Sequence, residues 1–143
     1  RLYVEPSSRF EGLTARHLAL VEEAVHAWTE SGAVRIERVY RPQEADIALY
    51  WTNQLPPTNP GLTLLSRRDA RMLNRAEVFI RVVAAPWNTG TPDRVLYGTI
   101  AHELGHALGL PHDPSVDALM HPAPLVTRVT ERDLEHLAEL SGR

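Results

Sequence analysis

Residues 102–112 read His102-Glu103-Leu104-Gly105-His106-Ala107-Leu108-Gly109-Leu110-Pro111-His112. On a helix, positions four apart lie on one face a turn apart, so His102 and His106 present both imidazoles to the same point. That spacing suits a single zinc ion held at about 2.0–2.1 Å. Glu103, one residue on, can bend towards a zinc-activated water without ligating the metal. A third ligand cannot come from a helix that continues. A left-handed Gly109 turns the chain sharply, so that His112 approaches from another direction. Three neutral histidines leave one position open, as in a catalytic zinc site; structural sites are closed by four protein ligands, often cysteines. The chain contains no cysteine. The plain alternative is a helix bearing three incidental histidines and no metal. Helix start, glycine break and third histidine all argue against it.

The same helix has a strong start signal. Thr91 can cap it, Pro92 suits the first helical position, and Asp93 favours the positive end of the helix dipole. It is expected to run to about Leu108, with Gly98 inside it at a cost of roughly 1 kcal/mol relative to alanine. Upstream, Leu2–Val4 reads as a short strand. From Thr14 the apolar positions Leu18, Val21, Val25 and Trp28 recur at helical spacing until Gly32. Val34–Tyr40, Asp46–Thr52, Leu62–Leu65 and Glu77–Ala84 read as strands, Leu62–Leu65 as a short edge strand. A last helix starts at Thr130, with Asp133 completing a capping-box variant, and is expected to bury Leu134, Leu137 and Leu140. The order β-α-β-β-β-β-α-loop-α implies an α/β (α+β) domain with helices over one face of a twisted sheet.

Composition supports this reading. A chain of 143 residues, 43% hydrophobic and 23% charged, suits one domain, residues 1–143. A net charge of −3 gives no signature of nucleic-acid binding, and no apolar run is long enough for a membrane span.

At residues 102–112 the sequence resembles the metzincins, whose HExxHxxGxxH motif is followed by a methionine-containing Met-turn. Met120 lies in Asp117-Ala118-Leu119-Met120-His121-Pro122, which closely resembles the matrixin Met-turn. Ala24–Trp28 and Ala45–Leu49 resemble the matrixin first helix and third strand. The resemblance implies a mostly parallel sheet with an edge strand over the cleft, an active-site helix, the Met-turn and a closing helix. It also implies an upper part of about 1–109 and a lower part of about 110–143. Met120 would floor the zinc site without ligating it. Pro122, Ala123 and Pro124 would wall the pocket for the side chain after the scissile bond, and Gly98 would leave that pocket open to a large hydrophobic residue. Asp113, where matrixins usually carry serine, is a candidate for a supporting hydrogen bond to the Met-turn.

One catalytic zinc is expected. A second, structural zinc and calcium are not, because no histidine lies between His26 and His102 and acidic residues are sparse from Asn53 to Arg94. The resemblance suggests a minimal, microbial, secreted or cell-envelope enzyme. Its partner would be a protein or peptide substrate, with any propeptide or inhibitor outside this chain and a monomer as the simplest state. The reading is a zinc-dependent endopeptidase with Glu103 as general base. A zinc-containing peptide-recognition domain and a hydrolase of non-peptide amides remain open, although a binding domain has no need of Glu103.

Overall fold

The computed structural model describes residues 1–6, 15–56, 58–67, 74–82 and 93–142. In chain order the elements are β1 (Leu2–Val4), α1 (Ala15–Thr29), β2 (Arg38–Val39), a 3-10 turn (Pro42–Glu44), β3 (Ile47–Thr52), β4 (Gly61–Arg67), β5 (Asn74–Arg81), α2 (Asp93–Ala107) and α3 (Glu131–Leu140). The five strands form one sheet in the order β2-β1-β3-β5-β4. All pairings are parallel except that of β4 with β5, which leaves β4 as an antiparallel strand at one edge.

The sheet is two-sided because side chains alternate along each strand. Leu2 and Val4, Ile47, Leu49 and Trp51, and Ala76, Val78 and Ile80 join the main core with Val21, Trp28, Ile100 and Leu104 of the helices. The opposite parity holds a smaller aromatic ladder. There Tyr3 lies 6.1 Å from Tyr50, and Tyr50 stacks on Phe79 at 5.7 Å between ring centroids. α2 is buried through its middle from Ile100 to Gly105, so it is a central helix and not a surface one. The indole of Trp28 on α1 donates to the carbonyl of Ala101 at 2.9 Å, which locks the two helices in register.

Several element boundaries differ from the sequence expectation. The strand expected over Val34–Tyr40 contracts to Arg38–Val39, the two residues that pair with Leu2 and Tyr3 of β1. β4 is longer than expected, since all seven of its residues find partners on β5. Thr91 and Pro92, the expected start of α2, lie outside the described residues, as do Val83 and Ala84 at the end of the strand expected over Glu77–Ala84. α3 carries the full capping box, with Thr130 and Asp133 each bonding the other's backbone. Leu137 is buried and Leu134 packs on the core, but Leu140 is 55% exposed, contrary to expectation. The helix ends there, so its last turn overhangs the core.

Candidate metal centre

α2 ends where the third histidine requires it to end. Gly109 has φ 104°, and two hydrogen bonds close the helix: Gly109 N to His106 O at 2.9 Å and Leu110 N to Gly105 O at 3.0 Å. This is a Schellman ending, which a left-handed glycine permits at no steric cost. Leu110 is buried as the chain turns, and His112 then faces back towards α2.

Three imidazoles meet at this point. His102 lies 4.8 Å from His106 and 5.5 Å from His112 between ring centroids, and His106 lies 4.7 Å from His112. One ring nitrogen from each falls within 4.8 Å of the others, which makes this group able to hold a metal ion. His106 Nε2 and His112 Nε2 are 3.2 Å apart. Two ligands on a tetrahedral zinc, with arms of about 2.0–2.1 Å, would stand roughly 3.3 Å apart, so the donor set fits such an ion.

The ring orientations are set by backbone carbonyls. His102 Nδ1 lies 2.6 Å from Leu119 O and His106 Nδ1 lies 2.8 Å from Leu110 O. A carbonyl only accepts, so each Nδ1 carries the proton and each Nε2 presents a lone pair to the centre. Burial lowers the pKa of His102 against the opposing pull of the Leu119 carbonyl and of Glu103. His112 is lowered too, by burial and then by its two histidine neighbours. Both shifts favour the neutral imidazole that a metal requires.

Glu103 is buried on the same helix, and its carboxylate accepts from the hydroxyl of Thr63 on β4 at 2.6 Å. Burial grades outward across the triad, with His102 buried, His106 intermediate and His112 exposed. The centre is therefore open to solvent on the His112 side. There it lines a cleft of 530 Å³ together with Gly61, Thr63, Gly98, Pro122 and Pro124.

The remaining sequence candidates fall around this centre. Met120 is 2% exposed, and the space beside Gly105 of α2 is filled by its sulfur. Asp113 N–H donates to Met120 O at 2.9 Å, so the residue after His112 is bonded to the turn at Met120 through its backbone. The Asp113 carboxylate points elsewhere, to Arg132 Nε at 2.7 Å and His136 Nδ1 at 3.1 Å on α3, and to Ser115 N at 2.8 Å. The Arg132 hydrogen bond is the main cause that holds its pKa below the ordinary value. Gly98 lines the cleft but is also tightly packed: a Cβ there would stand 3.2 Å from the Cα of Thr127. Ala123 is not among the residues lining the cleft, although its neighbours Pro122 and Pro124 are.

Sequence reasoning did not find Thr63, Arg132, His136 or the packing role of Gly105. The one available signal was the alternation of β4, which puts Gly61 and Thr63 on the same face.

Comparison with known proteins agrees with this geometry. Residues 76–140 match the matrixin family model. Interstitial collagenase of Sus scrofa is 36% identical over 59 residues, covering 39% of this chain and 13% of that protein. Interstitial collagenase of Aquarana catesbeiana is 49% identical over 39 residues, covering 27% of this chain and 10% of that protein. The alignments thus span only a small part of these relatives' length. The matched segment contains most of β5, α2, the three histidines and the turn at Met120, and the sheet above it is mixed and mostly parallel. The chain is matrixin-like.

Proposed function

We propose that residues 1–143 act as one catalytic domain, a zinc-dependent endopeptidase that cleaves extended peptides. The observation that carries this reading is the convergence of three imidazoles beside a buried glutamate, in a cleft bordered by the edge strand of the sheet. His102, His106 and His112 would hold one zinc ion, with Met120 as the apolar floor beneath them. When bound, zinc supplies a Lewis acid that polarises the scissile carbonyl and acidifies water to a pKa of about 7. Glu103 receives the proton of the attacking water and hands it to the leaving amine. Its burial keeps bulk solvent from competing for that proton.

Substrate orientation comes from β4. Among the described residues its outer edge has no strand partner, so an extended peptide can add to it by β-augmentation. Pro122 and Pro124 line the cleft with α2, and Val95 and Val126 add apolar surface. This supports a pocket for a large hydrophobic side chain after the cut, worth about 1.5–3 kcal/mol when buried. Thr127 fills the space beside Gly98 with its Cα and Cβ, so on that flank Gly98 serves close packing and the pocket would have to be bounded by Pro122, Pro124 and Val126. No helix among the described residues is long and apolar enough to cross a membrane. A secreted or cell-envelope location follows only from the family resemblance.

The test combines three measurements on the zinc-loaded protein. Cleavage of a diverse peptide library, read by mass spectrometry, should show cuts before leucine or phenylalanine. Metal analysis should give one zinc per chain. Glu103→Gln should keep that zinc and lose about 10²–10⁴-fold in turnover. Zinc-loaded protein that binds peptides without cutting them would overturn the reading, as would a Glu103→Gln variant with wild-type turnover.

A further inference from the structure

Glu103 is a long side chain, and a proton carrier works only from a defined position. Free in a cleft, it would sample several rotamers and spend little time in the productive one. Two residues on one face of β4 restrict it. The first is Thr63, whose hydroxyl lies 2.6 Å from Glu103 Oε2 and 3.0 Å from the Glu103 carbonyl. A hydroxyl has one proton to give. The shorter distance falls in the range of about 2.5–2.7 Å for an O–H donor on a carboxylate, so the proton goes to Oε2. The second is Gly61. A Cβ there would stand 2.7 Å from Glu103 Cγ and 3.2 Å from Oε1, so a side chain at 61 would displace the glutamate.

We propose that Thr63 is a positioning residue for Glu103: it engages Oε2 so that Oε1 is the oxygen left to move the proton, while Gly61 provides the room for this conformation. The inference rests on the reading of Glu103 as the proton carrier. It adds a function to β4 beyond pairing. A peptide aligned on the outer edge of that strand would be held by the backbone of the same strand whose Thr63 side chain holds the glutamate. The strand thereby couples substrate register to the position of the proton acceptor. β4 is itself anchored along its length to β5, with Thr63 opposite Val78 and Gly61 opposite Ile80, so this reference is rigid.

The experiment uses zinc-loaded wild type, Thr63→Val and Thr63→Ser. Valine keeps the shape and removes the hydroxyl; serine restores the hydroxyl without the methyl group. Thr63→Val should lower kcat by about 10- to 100-fold, up to the roughly 10²-fold that a misplacement of about 1 Å costs, with KM and zinc content unchanged. Thr63→Ser should recover most of kcat, which a merely structural role for the side chain would not predict. Crystal structures should show Oγ1 bonded to Oε2 in the wild type and a changed Glu103 rotamer in Thr63→Val. Wild-type kcat in Thr63→Val, or a loss that serine fails to recover, overturns the proposal. So does a wild-type crystal structure without the Thr63–Glu103 contact, whatever the protein cleaves. Crystals that keep the contact in a protein that cuts no peptide would support the positioning and sink the peptidase reading alone.

Discussion

Asp133 holds the backbone of Met120 with the same carboxylate that caps α3. Its Oδ1 accepts from Met120 N–H at 3.2 Å, and Oδ2 accepts from Leu119 N–H at 3.0 Å and from Thr130 N–H at 2.9 Å. The Thr130 hydroxyl completes the set at 2.6 Å, and the residue is 1% exposed. Because Leu119 O in turn orients His102, the start of α3 is linked to the metal centre through one turn of backbone.

Asp133→Ala should therefore cost more than an ordinary capping mutation. A lost cap is worth about 1 kcal/mol, and each buried N–H left without an acceptor costs about 1–3 kcal/mol. A loss of about 3 kcal/mol or more is expected in urea unfolding, with the midpoint lowered and the slope unchanged. A loss under about 1 kcal/mol would mean that water replaces the carboxylate at Leu119 and Met120.

Gly105→Ala sets two effects against each other. Alanine favours a helix by about 1 kcal/mol over glycine, which predicts stabilisation. Yet a Cβ at 105 would collide with the sulfur of Met120 and come within 2.9 Å of Trp28 Cζ2. The indole cannot step aside without breaking its bond to Ala101 O. Overpacking of this kind costs about 1–3 kcal/mol, so net destabilisation is expected, with lower zinc affinity as Met120 shifts. A thermal melt above that of the wild type would contradict this balance.

Asp113 ties the residue after His112 to α3, and its removal should be read in metal affinity. Asp113 bonds no candidate ligand directly, its carboxylate reaching Arg132, His136 and Ser115. Asp113→Ala should therefore lower affinity by less than the about 10–100-fold typical of a ligand's own hydrogen-bond partner, the more so because its backbone bond to Met120 survives. Arg132→Ala should do less, since His136 remains 3.1 Å from the carboxylate. Competition with a chelator of known zinc affinity measures both. Unchanged affinity in Asp113→Ala would show that the Gly109 turn alone places His112.

Whatever depends on local spacing was legible in the chain before any packing was known. The i, i+4 histidines, the glycine that must end the helix and the Thr130 capping box are short-range statements, because helix geometry and backbone conformation act over a few residues. All three appear in the structure as expected. The α/β (α+β) class was legible for the same reason, from strand alternation and element order, whereas the mostly parallel pairing of the sheet was implied only by the family resemblance. Other features exist only once distant segments have packed. That β2 is confined to Arg38–Val39 is decided by where this segment meets β1, a contact between residues 36 positions apart. Thr63 meets Glu103 from 40 positions away, and Asp113 meets Arg132 from 19. Gly105 is required by a tryptophan and a methionine that arrive from opposite directions in the chain. No periodicity encodes such meetings, because each depends on where two independently folded segments come into contact within a close-packed interior.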